Sequence, residues 1–451
     1  MSIALVILAA GKGTRMNSDL PKVLHEIAGA PLLVHAMKSG ATLDPEQTVV
    51  VAGHGFEEVK SAAQDWDETA DVVLQQEQNG TGHAVMVARE ALDGFQGDVL
   101  VLYGDTPFVQ PDTLTRMIQA RGENAIVVLG FHDDTAEKYG RLVMEGDSLL
   151  EITEFKDADD ATRAIDFMNS GVMLIKGDAL FDLLDSVTSE NASGEYYLTD
   201  IVAVARAKGL SATAISCDVS ETIGVNSRAH LAEAEAMFQT HARAALMEDG
   251  VTLIDPSSVF LAHDTVIGRD TVIEPNVFFG PDVTVESGAR IRAFSHLEGA
   301  HVSRGGEIGP YARLRPGAEL AENVKIGNFV EVKKAQIDEG AKVNHLSYIG
   351  DAHIGEAANI GAGTITCNYD GVMKHKTKVG KRAFIGSNTM LVAPVTIGDE
   401  AMTASGSVIT KDVGEGALAL GRATQIEKPG MARKLFEMLR AKKAKLSKDK
   451  S

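Results

Sequence analysis

In the second half of the chain, one aliphatic or aromatic residue recurs at every sixth position. The run begins Ile267, Ile273, Phe279, Val285, Ile291 and Leu297, then resumes at Ile308, Leu314, Leu320, Ile326 and Val332. Slips of one residue reset it at Ile337, Val343 and Ile349, and again at Ile354 and Ile360. A last run covers Ile385, Leu391, Ile397 and, after Thr403, Ile409. Helical faces repeat at about 3.6 residues, so no amphipathic helix explains this period. It predicts a parallel β-helix, in which each short strand sends one side chain into a stacked interior. Glycine often follows the apolar residue, as at Gly268, Gly309, Gly327, Gly350, Gly355, Gly361, Gly386 and Gly398. That spacing reads as the requirement of tight corners.

The first half is patterned differently. Short apolar runs at Ile3–Leu8, Thr48–Val51, Val72–Leu74, Val99–Leu102 and Ile126–Leu129 predict strands, and Pro31–Ser39 predicts part of a helix. Strands alternating with helices predict an α/β, doubly wound (Rossmann-like), mostly parallel sheet over residues 1–227. Such sheets bind ligands at the carboxyl ends of their strands. Residues 228–248 are rich in Ala, Glu and Leu and free of Gly and Pro, which predicts one linker helix ending at Asp249-Gly250. The repeats, in a region spanning 249–451, close with a basic stretch after Met431 that predicts a short amphipathic helix fraying into solvent.

Composition narrows the class. The 451 residues carry 43 basic and 63 acidic side chains, a formal charge of −20, which argues against a nucleic-acid partner. Two cysteines, Cys217 and Cys367, form no disulfide framework and point to a reducing cytoplasm. The apolar run at Ile3–Ala10 is too short for a membrane helix and lacks a basic leader.

The first strand runs into Leu8-Ala9-Ala10-Gly11-Lys12-Gly13-Thr14-Arg15, and Leu20-Pro21-Lys22 follows. Glycines 11 and 13 let backbone N–H groups approach phosphates, while Lys12, Arg15 and Lys22 add charge. Alone, the glycine pair equally fits a structural turn, and Lys12 reads as solvated. Further along stand Gln75, Gly80-Thr81-Gly82-His83-Ala84, Tyr103-Gly104-Asp105, Tyr139-Gly140-Arg141, Glu154, Asn169-Ser170-Gly171 and Gly224-Val225-Asn226. In this order the motifs resemble the sugar-1-phosphate nucleotidyltransferases, and closely the bacterial N-acetylglucosamine-1-phosphate uridyltransferase branch. The resemblance implies UTP and sugar contacts at Leu8, Ala9, Ala10, Gly11, Lys22, Gln75, Gly80, Thr81, Tyr103, Gly104, Asp105, Gly140, Glu154, Asn169 and Asn226. Gln75, Gly80 and Thr81 would read uracil; Tyr103, Gly140, Glu154 and Asn169 would meet the sugar. It further implies Mg²⁺ on Asp105 and Asn226, a fitting pair for a hard cation completed by phosphate and water. Without the resemblance, Asp105 also fits an Asx turn or helix cap before Pro107. Arg15 and Lys22 would offset the charge building on the phosphates.

Two departures from the hexads locate a second site: Lys333-Lys334 through Tyr348, and the insert 359–371. A regular β-helix has no cleft of its own, so insertions or neighbouring copies must supply one. His345 follows the inward Val343 by two positions and therefore points outward. In the same resemblance this half is a left-handed β-helix acetyltransferase of one bifunctional enzyme. His345 becomes the general base on glucosamine-1-phosphate, which takes the acetyl group of acetyl-CoA. Arg315, Lys333, Tyr348 and Asn359 would bind the sugar phosphate. Ala362, Asn368, Tyr369, Ser387, Ser405 and Arg422 would contact the coenzyme; for Ser387 and Ser405 a merely polar corner is the alternative. Cys367 reads as a packing residue, since direct transfer needs no thiol nucleophile. The resemblance also implies a homotrimer. Two rival readings remain: a nucleotidyltransferase for another sugar phosphate with a structural β-helix, and a non-enzymatic assembly protein.

Overall fold

The computed structural model describes residues 2–133, 139–191 and 193–448. They form two compact units. One comprises Met1–Glu248 with Phe260–Thr265 and Phe279–Pro281; the other comprises Asp249–Val259, Val266–Phe278 and Asp282–Ser451.

In the first unit, the apolar runs become the strands Ile3–Ala9, Gln47–Ala52, Asp71–Leu74, Asp98–Tyr103 and Ile126–His132. Ile3–Ala9 is buried at every position because it runs parallel to a neighbour on each side, with Val6 beside both Val49 and Val101. Burial on both faces is why this strand reads as an unbroken apolar run rather than an alternation. Leu5, Ile7 and Leu100 enter one core, and Val6, Val49 and Val101 enter the other. The sheet is mixed. Phe167–Lys176 runs antiparallel between Asp98–Tyr103 and Ile126–His132. Its register shifts between Asn169 and Met173, and this break hid the strand from the apolar pattern. The antiparallel pair Arg141–Glu145 and Ser148–Thr153 extends from it.

The Ala/Glu-rich stretch forms the helix Arg228–Glu248. It buries Ala234 and Gln239, and the Gln239 amide both donates to and accepts from the backbone of Leu261 at 2.7 and 2.9 Å. These bonds tie Phe260–Thr265 to the first unit.

In the second unit the hexad residues are buried, from Ile291, Leu314 and Val343 through Ile385 and Ile397. Three hexads make one coil, so Ile273 pairs with Ile291 and Ile308 with Ile326 in parallel register. The slips keep the stack intact by shortening a coil: Ile326 still pairs with Val343, and Val343 with Ile360. Ile360 pairs with Ile385, so the insert bulges outward without breaking the column. Each fully buried aliphatic side chain contributes about 1.5–3 kcal/mol.

The glycines do another task than expected. Of those following the apolar residue, Gly309 alone has a left-handed backbone, at φ +92°. A Cβ on Gly268 would lie 2.6 Å from the backbone N of Ser287, and one on Gly327 would lie 2.0 Å from the Asn344 carbonyl oxygen. Close stacking of the next coil, not a tight corner, requires Gly268, Gly327, Gly355, Gly361, Gly386 and Gly398. Four left-handed corners carry bulky residues: Phe294, Tyr311, Phe329 and Leu346, at φ from 51 to 60°. Phe294 stacks on Tyr311 at 4.8 Å, and Tyr311 on Phe329 at 5.3 Å. About half of each of these side chains is exposed. The basic stretch forms the helix Met431–Lys448. Among the described residues no helix is long and apolar enough to cross a membrane.

Candidate active sites

The first site lies at the carboxyl ends of Ile3–Ala9 and Asp98–Tyr103. After Ala9 the chain turns through Gly11 and Gly13 into the short helix Thr14–Met16, anchored by the buried Met16. Gly13 takes φ +59°, and a Cβ there would lie 2.5 Å from Lys22 Cβ. Gly11 differs, since a Cβ on it would meet no protein atom within 4 Å. Pro21 leads into the short helix Lys22–Leu24, aiming Lys22 at the same place. The Lys22 ammonium contacts the Asp105 carboxylate and donates to Asn226 Oδ1 at 3.2 Å. Arg15 donates to the same Asn226 oxygen at 3.0 Å, and the Val225 N–H donates to the Asp105 carbonyl at 2.9 Å.

The contacts of Lys22 demonstrate that Asp105 and Asn226 oxygens can share one cation. One carboxylate and one amide oxygen fit Mg²⁺ completed by phosphate and water. Among the described residues no group of three or more His, Cys, Asp or Glu side chains is arranged to hold a metal.

A cleft of about 340 Å³ opens beside this cluster. Ten expected residues line it: Leu8, Ala9, Ala10, Gly11, Lys22, Gln75, Gly80, Thr81, Tyr103 and Asp105. Val23, Gln78 and Glu195, which sequence reasoning missed, also line it, as does Ala84, whose motif was noted without a role for this residue. Gln78 donates to the Ala10 carbonyl at 2.5 Å; only its nearness to Gln75 hinted at this. A larger cavity, about 670 Å³ and lined in part by His35, Lys38, Phe108 and Phe238, holds none of the candidate residues.

Gly140, Glu154 and Asn169 gather apart from the cleft lining. The Asn169 N–H donates to the Gly140 carbonyl at 2.9 Å, and a Cβ on Gly140 would lie 3.4 Å from Glu154 Oε1. Tyr103 joins the two groups, for it lines the cleft and its ring abuts Gly171, where a Cβ would lie 2.7 Å from the ring. Burial, then the charges of Asp105 and Glu154, pushes the Tyr103 hydroxyl up. Burial raises the Glu154 carboxyl as well, while a bond from the Thr199 hydroxyl at 3.2 Å opposes the shift. Gly104 packs on Val23 and Leu33, behind the cleft wall.

In the β-helix, the outward His345 ends the strand Lys342–His345, opposite Asn328 of the preceding coil. His345 Nδ1 lies 3.0 Å from Asn328 Oδ1. A carbonyl oxygen only accepts, so Nδ1 is the donor in this bond, which leaves Nε2 unengaged by Asn328. From His345, one corner climbs coil by coil. Gly363 N–H donates to the His345 carbonyl, Asn388 N–H to that of Ala362, and Gly406 N–H to that of Ser387; Arg422 reaches the Ser405 carbonyl at 2.7 Å. Ala362, Ser387, Ser405 and Arg422 therefore share one line.

Past the corner stand Tyr348, Asn368 and a cluster of cations. Arg315 donates to Glu331 at 2.7 Å, and Glu331 pairs in register with Tyr348. The charges of Lys374 and Arg315 push the Lys333 ammonium down. Like charges brought this close make a site for an anion. Asn368 is buried, donates to Asp351 at 2.5 Å, and lies 3.5 Å from the Tyr348 hydroxyl. Tyr369 projects into solvent, its hydroxyl bound to the Gly371 carbonyl. Asn359 pairs with Lys342, one strand position away from the Val343–Ile360 pair. It shares a sheet with His345 without touching it in any described bond.

Sequence reasoning missed Asn328, Lys374 and Glu331. The basic spacing Lys374, Lys376, Lys378 was a signal for Lys374; nothing local marked Asn328. Burial holds both thiols up, Cys217 to about 12 and Cys367 in the same direction. Neither is primed as a nucleophile.

Comparison with known proteins assigns both halves. The family model of a MobA-like NTP transferase domain matches residues 5–194. The model of bacterial transferase hexapeptide (six repeats) matches residues 264–299 and 376–411, in keeping with a left-handed parallel β-helix. The bifunctional protein GlmU of Ruegeria pomeroyi is 68% identical over 449 residues, covering 100% of both chains. That of Ruegeria sp. TM1040 is 68% identical over 444 residues, 98% of this chain and 99% of its own. The Jannaschia sp. CCS1 protein of the same name is 61% identical over 447 residues, 99% and 98%. Among solved structures, UDP-glucose pyrophosphorylase complexed with UDP-glucose is similar at 19% identity and a TM-score of 0.43, over 53% of this chain and 100% of that one.

Proposed function

The chain belongs to the family of bifunctional GlmU proteins, and from that premise we propose how its residues divide two transfer reactions. It is a bifunctional transferase, with a nucleotidyltransferase half and a hexapeptide-repeat acetyltransferase half.

In the acetyl transfer, the amine nitrogen of glucosamine-1-phosphate attacks the carbonyl carbon of acetyl-CoA. The C–N bond forms, the C–S bond breaks, and coenzyme A leaves as thiolate. His345 Nε2 takes the proton that the amine must lose, its ring held by Asn328. Arg315, Lys333 and Lys374 receive the phosphate, with Tyr348 and Asn359 against the sugar. Asn368, Tyr369 and the line Ala362, Ser387, Ser405 and Arg422 serve the coenzyme.

In the uridylyl transfer, a phosphate oxygen of N-acetylglucosamine-1-phosphate attacks the α-phosphorus of UTP in line, and pyrophosphate leaves. Leu8–Gly11 cradle the triphosphate, Gln75, Gly80 and Thr81 read the uracil, and Tyr103, Gly140, Glu154 and Asn169 surround the sugar. Arg15 and Lys22 offset the developing charge, so that positioning and electrostatics carry the step. Asp105 and Asn226 would hold Mg²⁺, which supplies charge neutralisation to the phosphates when bound.

The observation that carries this reading is the contact network of Arg15, Lys22, Asp105 and Asn226, four side chains from separate segments meeting beside one cleft. The exposed column Phe294, Tyr311, Phe329 and Leu346, next to His345, supports a homotrimer in which a second copy covers it and completes the acetyl site. Bulky residues in left-handed corners cost roughly 1–3 kcal/mol each, an expense that an interface would offset. Free cysteines at 217 and 367 suit the cytoplasm.

The test is to make His345→Ala and Asp105→Ala separately and assay both half-reactions. Each substitution is expected to abolish one activity and spare the other. Loss of both activities in either variant, or no coenzyme A-dependent acetylation by the wild type, refutes the division.

A further inference from the structure

We infer that His83, together with the Gly80 carbonyl, holds the polarity of the Gln75 side-chain amide and thereby makes the enzyme choose uracil over cytosine. The inference rests on the reading above that Gln75 and Gly80 face the base.

Gln75 is buried, yet it lines the cleft. Its Nε2 lies 3.3 Å from the Gly80 carbonyl oxygen and 3.0 Å from His83 Nδ1. The carbonyl only accepts, so the amide nitrogen must face it. The amide nitrogen only donates, so His83 Nδ1 must offer its lone pair and carry the ring proton on Nε2. Both hydrogens of Nε2 are then engaged. Oε1 is turned the other way, and among the described residues no donor reaches it.

Gly80 supplies the complement. Its N–H has no acceptor among the described residues. Its φ of +107° suits glycine, and a Cβ there would lie 2.5 Å from the Tyr196 carbonyl oxygen. The helix Thr81–Val87 that carries His83 is clamped at its start, where Gly82 N–H donates to Tyr196 and Leu198 N–H to the Thr81 hydroxyl. The cleft lining thus includes an acceptor, Gln75 Oε1, and a donor, Gly80 N–H.

Uracil presents O4, an acceptor, beside N3–H, a donor, and satisfies both. Cytosine presents N4–H beside a bare N3, which sets donor against donor and acceptor against acceptor. A flipped Gln75 amide would offer N–H to the base and suit cytosine N3. The flip would also bring Oε1 against the Gly80 oxygen and would force the His83 ring proton onto Nδ1, so the Gly80 carbonyl and His83 both oppose it. His83 touches no substrate in this account; it is a positioning residue.

The experiment compares kcat/KM for UTP and for CTP in the wild type and in His83→Phe, His83→Ala, His83→Gln and Gln75→Ala. Acetyl transfer, measured on the same preparations, reports that each chain is folded. Phe and Ala remove the acceptor, with and without bulk, and the UTP-over-CTP preference is expected to fall about tenfold in both. Gln, which keeps an acceptor, is expected to restore most of it. If His83→Phe and His83→Ala keep the wild-type preference within about twofold while Gln75→Ala loses it, the inference is overturned and the reading of Gln75 stands. If Gln75→Ala keeps the preference, the assignment of Gln75 to the base is itself wrong.

Discussion

Replacing Gly327 by Ala asks whether acetyl transfer depends on the stacking of two particular coils. Gly327 sits inside the strand Lys325–Asn328 and is not left-handed, so alanine is acceptable there on conformational grounds. Its Cβ, however, would lie 2.0 Å from the Asn344 carbonyl oxygen and 2.8 Å from Asn344 Cα. Contacts under 3.0 Å are essentially never tolerated, so one strand must move by about 1 Å or more relative to the other. Asn328 rides on one strand and His345 on the other, and the 3.0 Å bond between them breaks. That bond alone is worth about 1 kcal/mol. Displacing the general base by about 1 Å costs more, on the order of 100-fold in rate. Displacement therefore dominates, and coenzyme A thiol release is expected to fall roughly 100-fold, with uridylyl transfer by the same sample unchanged. Gly268→Ala is the control. Its Cβ would lie 2.6 Å from the Ser287 backbone N, in coils that hold none of the candidate residues. It is expected to lower Tm and keep acetyl transfer. If Gly327→Ala acetylates within about threefold of the wild type, or Gly268→Ala loses as much as Gly327→Ala, the argument fails.

Lys374→Ala is expected to raise KM for glucosamine-1-phosphate in acetyl transfer more than it lowers kcat, because it removes a cation from the Lys333 and Arg315 cluster; steady-state kinetics over the sugar phosphate check this. Glu154 gives a pH signature. Burial, then the charges of Asp200 and Asp157, holds its carboxyl above the ordinary range in the fold. A carboxyl raised on folding stabilises the protein below its unfolded pKa, and that stability is lost as pH rises through the folded value. Glu154→Gln should therefore raise Tm more at pH 8 than at pH 4, and an equal or opposite difference in thermal melts counts against the assignment.

The hexad period dictates the β-helix because the interior of each coil admits one side chain per strand, a local demand written at every sixth position. Even the slips at Ile337 and Ile354 are readable, since a shortened coil keeps its neighbours in register. Likewise Ile3–Ala9 running into Gly11 and Gly13 marks a ligand-binding strand end, because strand burial and glycine turns are local properties. The resemblance of whole motifs then adds roles that the residues alone leave open. Other features depended on which distant segments the fold brings together. The antiparallel strand Phe167–Lys176 is masked by its own bulge. Asn328 reaches His345 only through coil register, and Lys374 reaches Lys333 only because the insert folds back. Gly327 looked like a corner and is a close backbone contact instead. Sequence patterns record what a residue's own segment requires of it; the meeting of Lys22 with Asp105 and Asn226, or of Gln75 with His83, is decided by packing between segments, and tertiary structure alone supplies it.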